Sequence, residues 1–247
     1  MANWQDPRVT NAQSAPTATV GVPSAVRDAG LRSYMLKVYN YMASGVLLTG
    51  IVAMLFYNGG YAERIMLGGG ALPWIIMLSP LAIVMAMSFG ANRMTAATMQ
   101  MLFWGFATLM GLSMSTVFLA YTGVSIAQTF FAVTAAFAGL SLYGYTTKRD
   151  LGRFRTFLIM GVVGILVAML LNAFVFKSGA MAMAISGIGV LLFAGLTAYD
   201  TQRIKSIYYQ VQGSEMLGKT AILGALSLYL DFINMFQFLL MFMGDRR

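Results

Sequence analysis

The sequence predicts an all-α membrane protein, a seven-transmembrane-helix bundle, and three observations carry that expectation. Hydrophobic residues fill 59% of the 247 positions while charged residues fill 10%, a balance far from that of a water-soluble domain. The apolar residues gather into seven stretches, each close to the ~20 residues that a helix needs to cross a bilayer. Between these stretches lie the glycines, prolines, asparagines and basic clusters that end helices.

Taken in order, residues 1–31 are polar, rich in Ala, Thr, Pro and Gly, and contain no apolar run of signal-peptide kind. They read as a disordered cytoplasmic tail, with a docking arm for a partner as the alternative. Residues 32–247 form the membrane domain. Its spans are expected at Val38–Tyr57, Leu72–Gly90, Met99–Ala120, Val124–Tyr143, Phe157–Phe176, Ala180–Thr201 and Ala221–Met243. The Thr122-Gly123 turn is so short that the spans on either side must be antiparallel neighbours. Many of the 26 glycines fall at small-xxx-small spacing, which lets membrane helices approach closely.

Basic residues set the orientation. With the N-terminus cytoplasmic, 12 of the 16 Lys and Arg residues face inward and 4 face outward. The positive-inside bias therefore favours that topology, and seven spans place the C-terminus, with Arg246 and Arg247, outside. The net charge of +8 has the same origin. No aromatic-interleaved basic patch suggests nucleic acid, and the partner in view is the lipid bilayer itself.

The chain has neither cysteine nor histidine, so disulfides, thiolate chemistry, His-based triads and histidine pH switches are excluded. Carboxylates are the groups left to sense protons. Two stand inside apolar runs: Asp200 near the end of the sixth, and Asp231 near the middle of the seventh. A charge at mid-bilayer costs roughly 2.5–3.5 kcal/mol even on lenient scales, which makes such a residue a functional candidate. Thr197 shares a helix face with Asp200, and Ser227 and Asn234 share one with Asp231.

The last two spans are consecutive and antiparallel, so the carboxylates can meet, provided a vertical offset between them is overcome. If they meet, repulsion leaves them holding one proton between them over part of the pH range, and they also offer hard oxygen ligands suited to calcium. Arg93, at the cytoplasmic end of the second span, is expected at the depth of Asp200 and could latch it. The plainer reading makes Arg93 a positive-inside anchor and pairs Asp200 with Arg203, one turn on. The alternative for both acids is a hydrogen-bonded packing role. The 21 methionines read as apolar gap filling and not as a copper site. An intramembrane aspartyl protease is disfavoured, because Tyr199-Asp200 lacks its GxGD partner: Asp231 follows Leu228-Tyr229-Leu230. No enzyme activity and no cofactor are expected.

The segments AYDTQRIK, from Ala198 to Lys205, and LSLYLDFINMF, from Leu226 to Phe236, resemble the Bax inhibitor-1 family, also called the transmembrane Bax-inhibitor-motif family, in its bacterial branch. The resemblance covers about Leu31 to Met243. It implies a seven-helix bundle with the last helix central, acting as a pH-sensitive calcium leak in the bacterial inner membrane. Asp200 and Asp231 would be its proton-sharing dyad and calcium contacts, and Arg93 the matching latch. Here the family's basic cluster at the latch is reduced to a single Arg, and its C-terminal tail is replaced by Gly-Asp-Arg-Arg. Some bacterial relatives are linked to modulation of a membrane-bound AAA protease, which implies a second, non-transport role.

Overall fold

The computed structural model describes residues 24–247. Eight α-helices follow one another: α1 (Ser24–Asn58), α2 (Tyr61–Met66), α3 (Leu72–Gly90), α4 (Ala96–Ala120), α5 (Gly123–Thr146), α6 (Arg155–Leu171), α7 (Gly179–Val211) and α8 (Met216–Met243). All but α2 belong to segments long and apolar enough to cross a membrane, and these match the seven expected spans in order. There is no strand among the described residues beyond a single bridge between Tyr121 and Arg246.

Local chemistry sets the helix boundaries. Thr95, Thr122 and Ser178 lie in extended conformation, and their hydroxyls accept from the backbone N–H groups of Thr98, Ser125 and Met181, capping α4, α5 and α7. A π-helical turn, Asn172–Phe176, extends α6, and the Asn172 side chain exchanges hydrogen bonds with the Ser178 backbone to set the entry into α7. Gly213, at φ 78°, allows the tight reversal between α7 and α8.

Three boundaries differ from expectation. α1 starts at Ser24, so the last part of the stretch read as tail is helical; residues 1–23, which hold the rest of the supposed disordered or docking arm, lie outside the described residues. α2 occupies the loop after the first span, anchored by the fully buried Ala62. α7 runs on to Val211, ten residues past the expected end of its span. In each case hydropathy marks only the part of a helix that faces lipid, and these helices continue through polar sequence. The extensions of α1 and α7 pack on each other, with the Tyr34 and Tyr208 rings 5.3 Å apart.

α8 touches α1, α4, α5 and α7, while α3 rests on α4 and α6 on α7. Lipid is as apolar as leucine, so close packing, not escape from water, holds such helices together. A Cβ on Gly45 would come within 2.7 Å of the Phe103 ring, and one on Gly144 would collide with the Ala198 carbonyl. Glycine is required at both crossings.

At the far end of the bundle the chain terminus is fastened down. Asp245 accepts from the Thr122 N–H and donates its own N–H to Ser125, and the Arg247 N–H reaches the Ala120 carbonyl. The Arg247 guanidinium lies over the Tyr57 ring and donates to its hydroxyl. Thus α8 is a complete 28-residue helix, and the C-terminal arginines sit beside the C-terminal ends of α1 and α4.

Candidate functional site

Asp200 and Asp231 are both buried, at 9% and 4% exposure, in a bundle interior built mainly of apolar side chains. The longer α7 removes the expected vertical offset. Asp200 lies eleven residues before Val211, and Asp231 fifteen residues after Met216. Across an antiparallel pair that difference is about one helical turn, ~6 Å at 1.5 Å per residue. The two acids are near enough for the charge of one to act on the other. Asp231 Oδ2 has no hydrogen-bond partner among the described residues, and an unpaired buried carboxylate oxygen is a costly feature.

The counterion of Asp200 is Arg203, with Nη1 3.6 Å from Oδ1. This is the plainer of the two pairings read from the sequence. Arg93 is exposed in the turn before α4 and makes no ion pair among the described residues. The expected common depth of Arg93 and Asp200 is corrected by the same extension of α7, because Asp200 does not end its helix. Phe103 and Phe106 of α4 meet Tyr229 of α8 edge to face, at 6.3 and 5.0 Å. The first residue of α4, Ala96, is ~10 Å along the helix from Phe103, and Arg93 lies in the turn before it.

The supporting polar residues are mostly occupied within their own helices. Thr197, fully buried, donates to the Phe193 carbonyl at 2.8 Å, and Asn234 donates to Leu230 at 2.8 Å. Ser227 is half-buried. Thr201, beside Asp200, is also fully buried, but its hydroxyl has no partner. It lies next to Tyr39 of α1, as does Ser141 of α5, whose hydroxyl is likewise unpartnered. Polar atoms of Ser141 on α5, Thr201 on α7 and Asp231 on α8 are thus left unpartnered in the bundle interior, with the Tyr39 hydroxyl of α1 beside the first two.

The rest of AYDTQRIK is a set of ties. Gln202 accepts from the Leu151 N–H and donates to the Arg149 carbonyl, both at 2.8 Å, fixing the turn between α5 and α6. Lys205 donates to the Tyr145 carbonyl at 2.8 Å, where the last turn of α5 leaves acceptors unfilled. The pattern LSLYLDFINMF has a similar member. Tyr229, fully buried, shares a 2.7 Å hydrogen bond with Thr49 of α1, and Thr49 in turn donates to the Ala107 carbonyl of α4 at 2.8 Å. The tyrosine hydroxyl is thus the donor in a chain joining three helices at the level of the dyad.

These two segments lie within a wider match. The family model for the inhibitor of apoptosis-promoting Bax1 covers residues 31–247. The chain belongs to the Bax inhibitor-1 family. Bacterial proteins are among those similar to it: one of Rickettsia prowazekii is 46% identical over 94% of this chain and 97% of its own length. Another, of Caulobacter vibrioides, is 43% identical over 89% and 91%. The inner membrane protein YbhL of Escherichia coli is 42% identical over 89% of this chain and 94% of itself. In this member of the Bax inhibitor-1 family the two quoted segments lie on α7 and α8, which pack against one another.

Sequence reading found the two acids because a carboxylate in an apolar run is conspicuous. It missed Tyr39, Ser141, Thr201 and Tyr229, which are ordinary residues until their partners are known. The one available signal was the placement of Thr201 and Tyr229 in the quoted segments.

Proposed function

We propose that this protein is a pH-sensitive calcium leak of the bacterial inner membrane, with Asp200 and Asp231 as its proton- and ion-handling pair and with its N-terminus in the cytoplasm. The observation that carries the reading is the pairing of two buried acids on consecutive spans, one of them with an unpartnered oxygen. Two like charges in so dry a place are strongly unfavourable together, and a proton or a passing cation relieves them. Two carboxylates are fewer than a resident calcium site employs, since calcium takes six to eight oxygens. Among the described residues no third Asp, Glu, His or Cys joins them. The pair suits an ion in transit, written here as cargo and not as a cofactor.

On this reading Arg203 balances Asp200 in the conformation described, and Arg93 latches the pair in a second conformation, in which the turn before α4 moves toward it. That turn already borders the first turn of α8, since a Cβ on Gly218 would lie 3.6 Å from that of Ala96. Calcium flux into dye-loaded proteoliposomes, measured over a pH series, tests the proposal. Asp231→Asn removes one titrating group and is expected to flatten the pH dependence. An unchanged profile would overturn the dyad reading. Arg93→Ala is expected to raise basal flux, and a fall would reject the latch.

A further inference from the structure

α1 and α5 both pack on α8 but stand apart from one another, leaving a cleft open toward the lipid. Its larger chamber, about 770 Å³, has Arg32, Tyr39, Ser141 and Tyr145 toward the end where α1 begins and α5 finishes. Farther along, Val46, Phe130 and Phe232 are shared with a second, apolar chamber of about 340 Å³. The cleft is therefore polar and basic at one end and apolar along the rest of its length. Both volumes fall in the ~300–1,000 Å³ range of small-ligand sites.

Two features distinguish this cleft from a surface that merely meets bulk lipid. Ser141 lines it at 5% exposure, and its hydroxyl, beside that of Tyr39, makes no well-formed hydrogen bond among the described residues. A buried donor of that kind calls for an acceptor from the occupant. Arg32 stands at the mouth with no ion pair among the described residues, and Lys205 holds its ammonium 5.0 Å from the centre of the Tyr145 ring. The mouth is thus complementary to a negative headgroup. The other lipid-facing helices, α3 and α6, offer no such combination of cleft, orphan hydroxyl and cation.

We propose that the α1–α5 cleft is a binding site for one anionic phospholipid. One acyl chain runs along Val46, Phe130 and Phe232, the ester region accepts from Ser141, and the phosphate rests at Arg32. This site is independent of the calcium reading. Because Tyr39 borders both the cleft and Thr201, the bound lipid lies one side chain away from Thr201, the neighbour of Asp200 in sequence.

Native mass spectrometry of the full chain in mild detergent tests this, with phosphatidylglycerol and phosphatidylethanolamine of equal chain length as probes. The wild type is expected to keep one phosphatidylglycerol per chain in preference to phosphatidylethanolamine. Ala138→Trp fills the cleft and should abolish retention, whereas Ala136→Trp, exposed on α5 outside the cleft, should leave it intact. Arg32→Ala, an exposed change that spares the fold, should weaken phosphatidylglycerol about fivefold and level the two lipids. Equal retention of both lipids by the wild type, or undiminished retention in folded Ala138→Trp, would overturn the proposal. So would a lipid-free dimer that Ala138→Trp splits, because a second copy would then occupy the cleft.

Discussion

α8 and α6 are both membrane-spanning, yet they solve opposite problems. In the span containing α6 11% of the most apolar window is buried, against 56% in α8. α6 is a run of Leu, Ile, Val and Met with no polar side chain between Thr156 and Asn172, and most of it faces lipid. α8 carries Ser227, Tyr229, Asp231, Asn234 and Gln237 inside the bundle. In a soluble protein the most buried helix is the most apolar one. Here the order is reversed, because lipid tolerates no unsatisfied polar group and the bundle interior supplies partners. A span's polarity is thus a guide to its depth in the bundle.

The contrast is sharpest at two glycines. Gly144→Leu forces a side chain into the Ala198 carbonyl beside the dyad, whereas Gly164→Leu on α6 meets nothing within 4 Å. The first is expected to cost about 3 kcal/mol or more, the second to stay within about 0.5 kcal/mol. Thermal unfolding in detergent measures both, and equal effects would break the comparison. A smaller difference is expected from Tyr229→Phe, which removes the donor to Thr49 and should cost about 1 kcal/mol in the same assay. Smallest of all, Leu166→Val, on the exposed face of α6, should shift the midpoint hardly at all, by about 0.5 kcal/mol or less. A larger loss there would mean that this face is covered and not in lipid.

What the sequence disclosed follows the same division. Seven spans were legible because lipid selects long apolar runs, and Asp200 and Asp231 were legible as violations of that rule. The start of α1 and the end of α7 were not, since beyond the membrane a helix needs no apolar signature. Nor was the Thr49–Tyr229 bond, whose partners lie 180 residues apart; nothing local in either residue points to the other. The Arg93 latch was read from a depth that assumed α7 stopped near Asp200. Because the helix continues to Val211, Asp200 does not mark its end and that premise fails.

The stitched C-terminus carries a practical consequence. Asp245 and Arg247 hold the turn between α4 and α5 through bonds made by their main chain. Because the backbone and not a side chain makes that seam, it tolerates a change of side chain at Asp245 and yields only to a residue that lacks an N–H, such as proline.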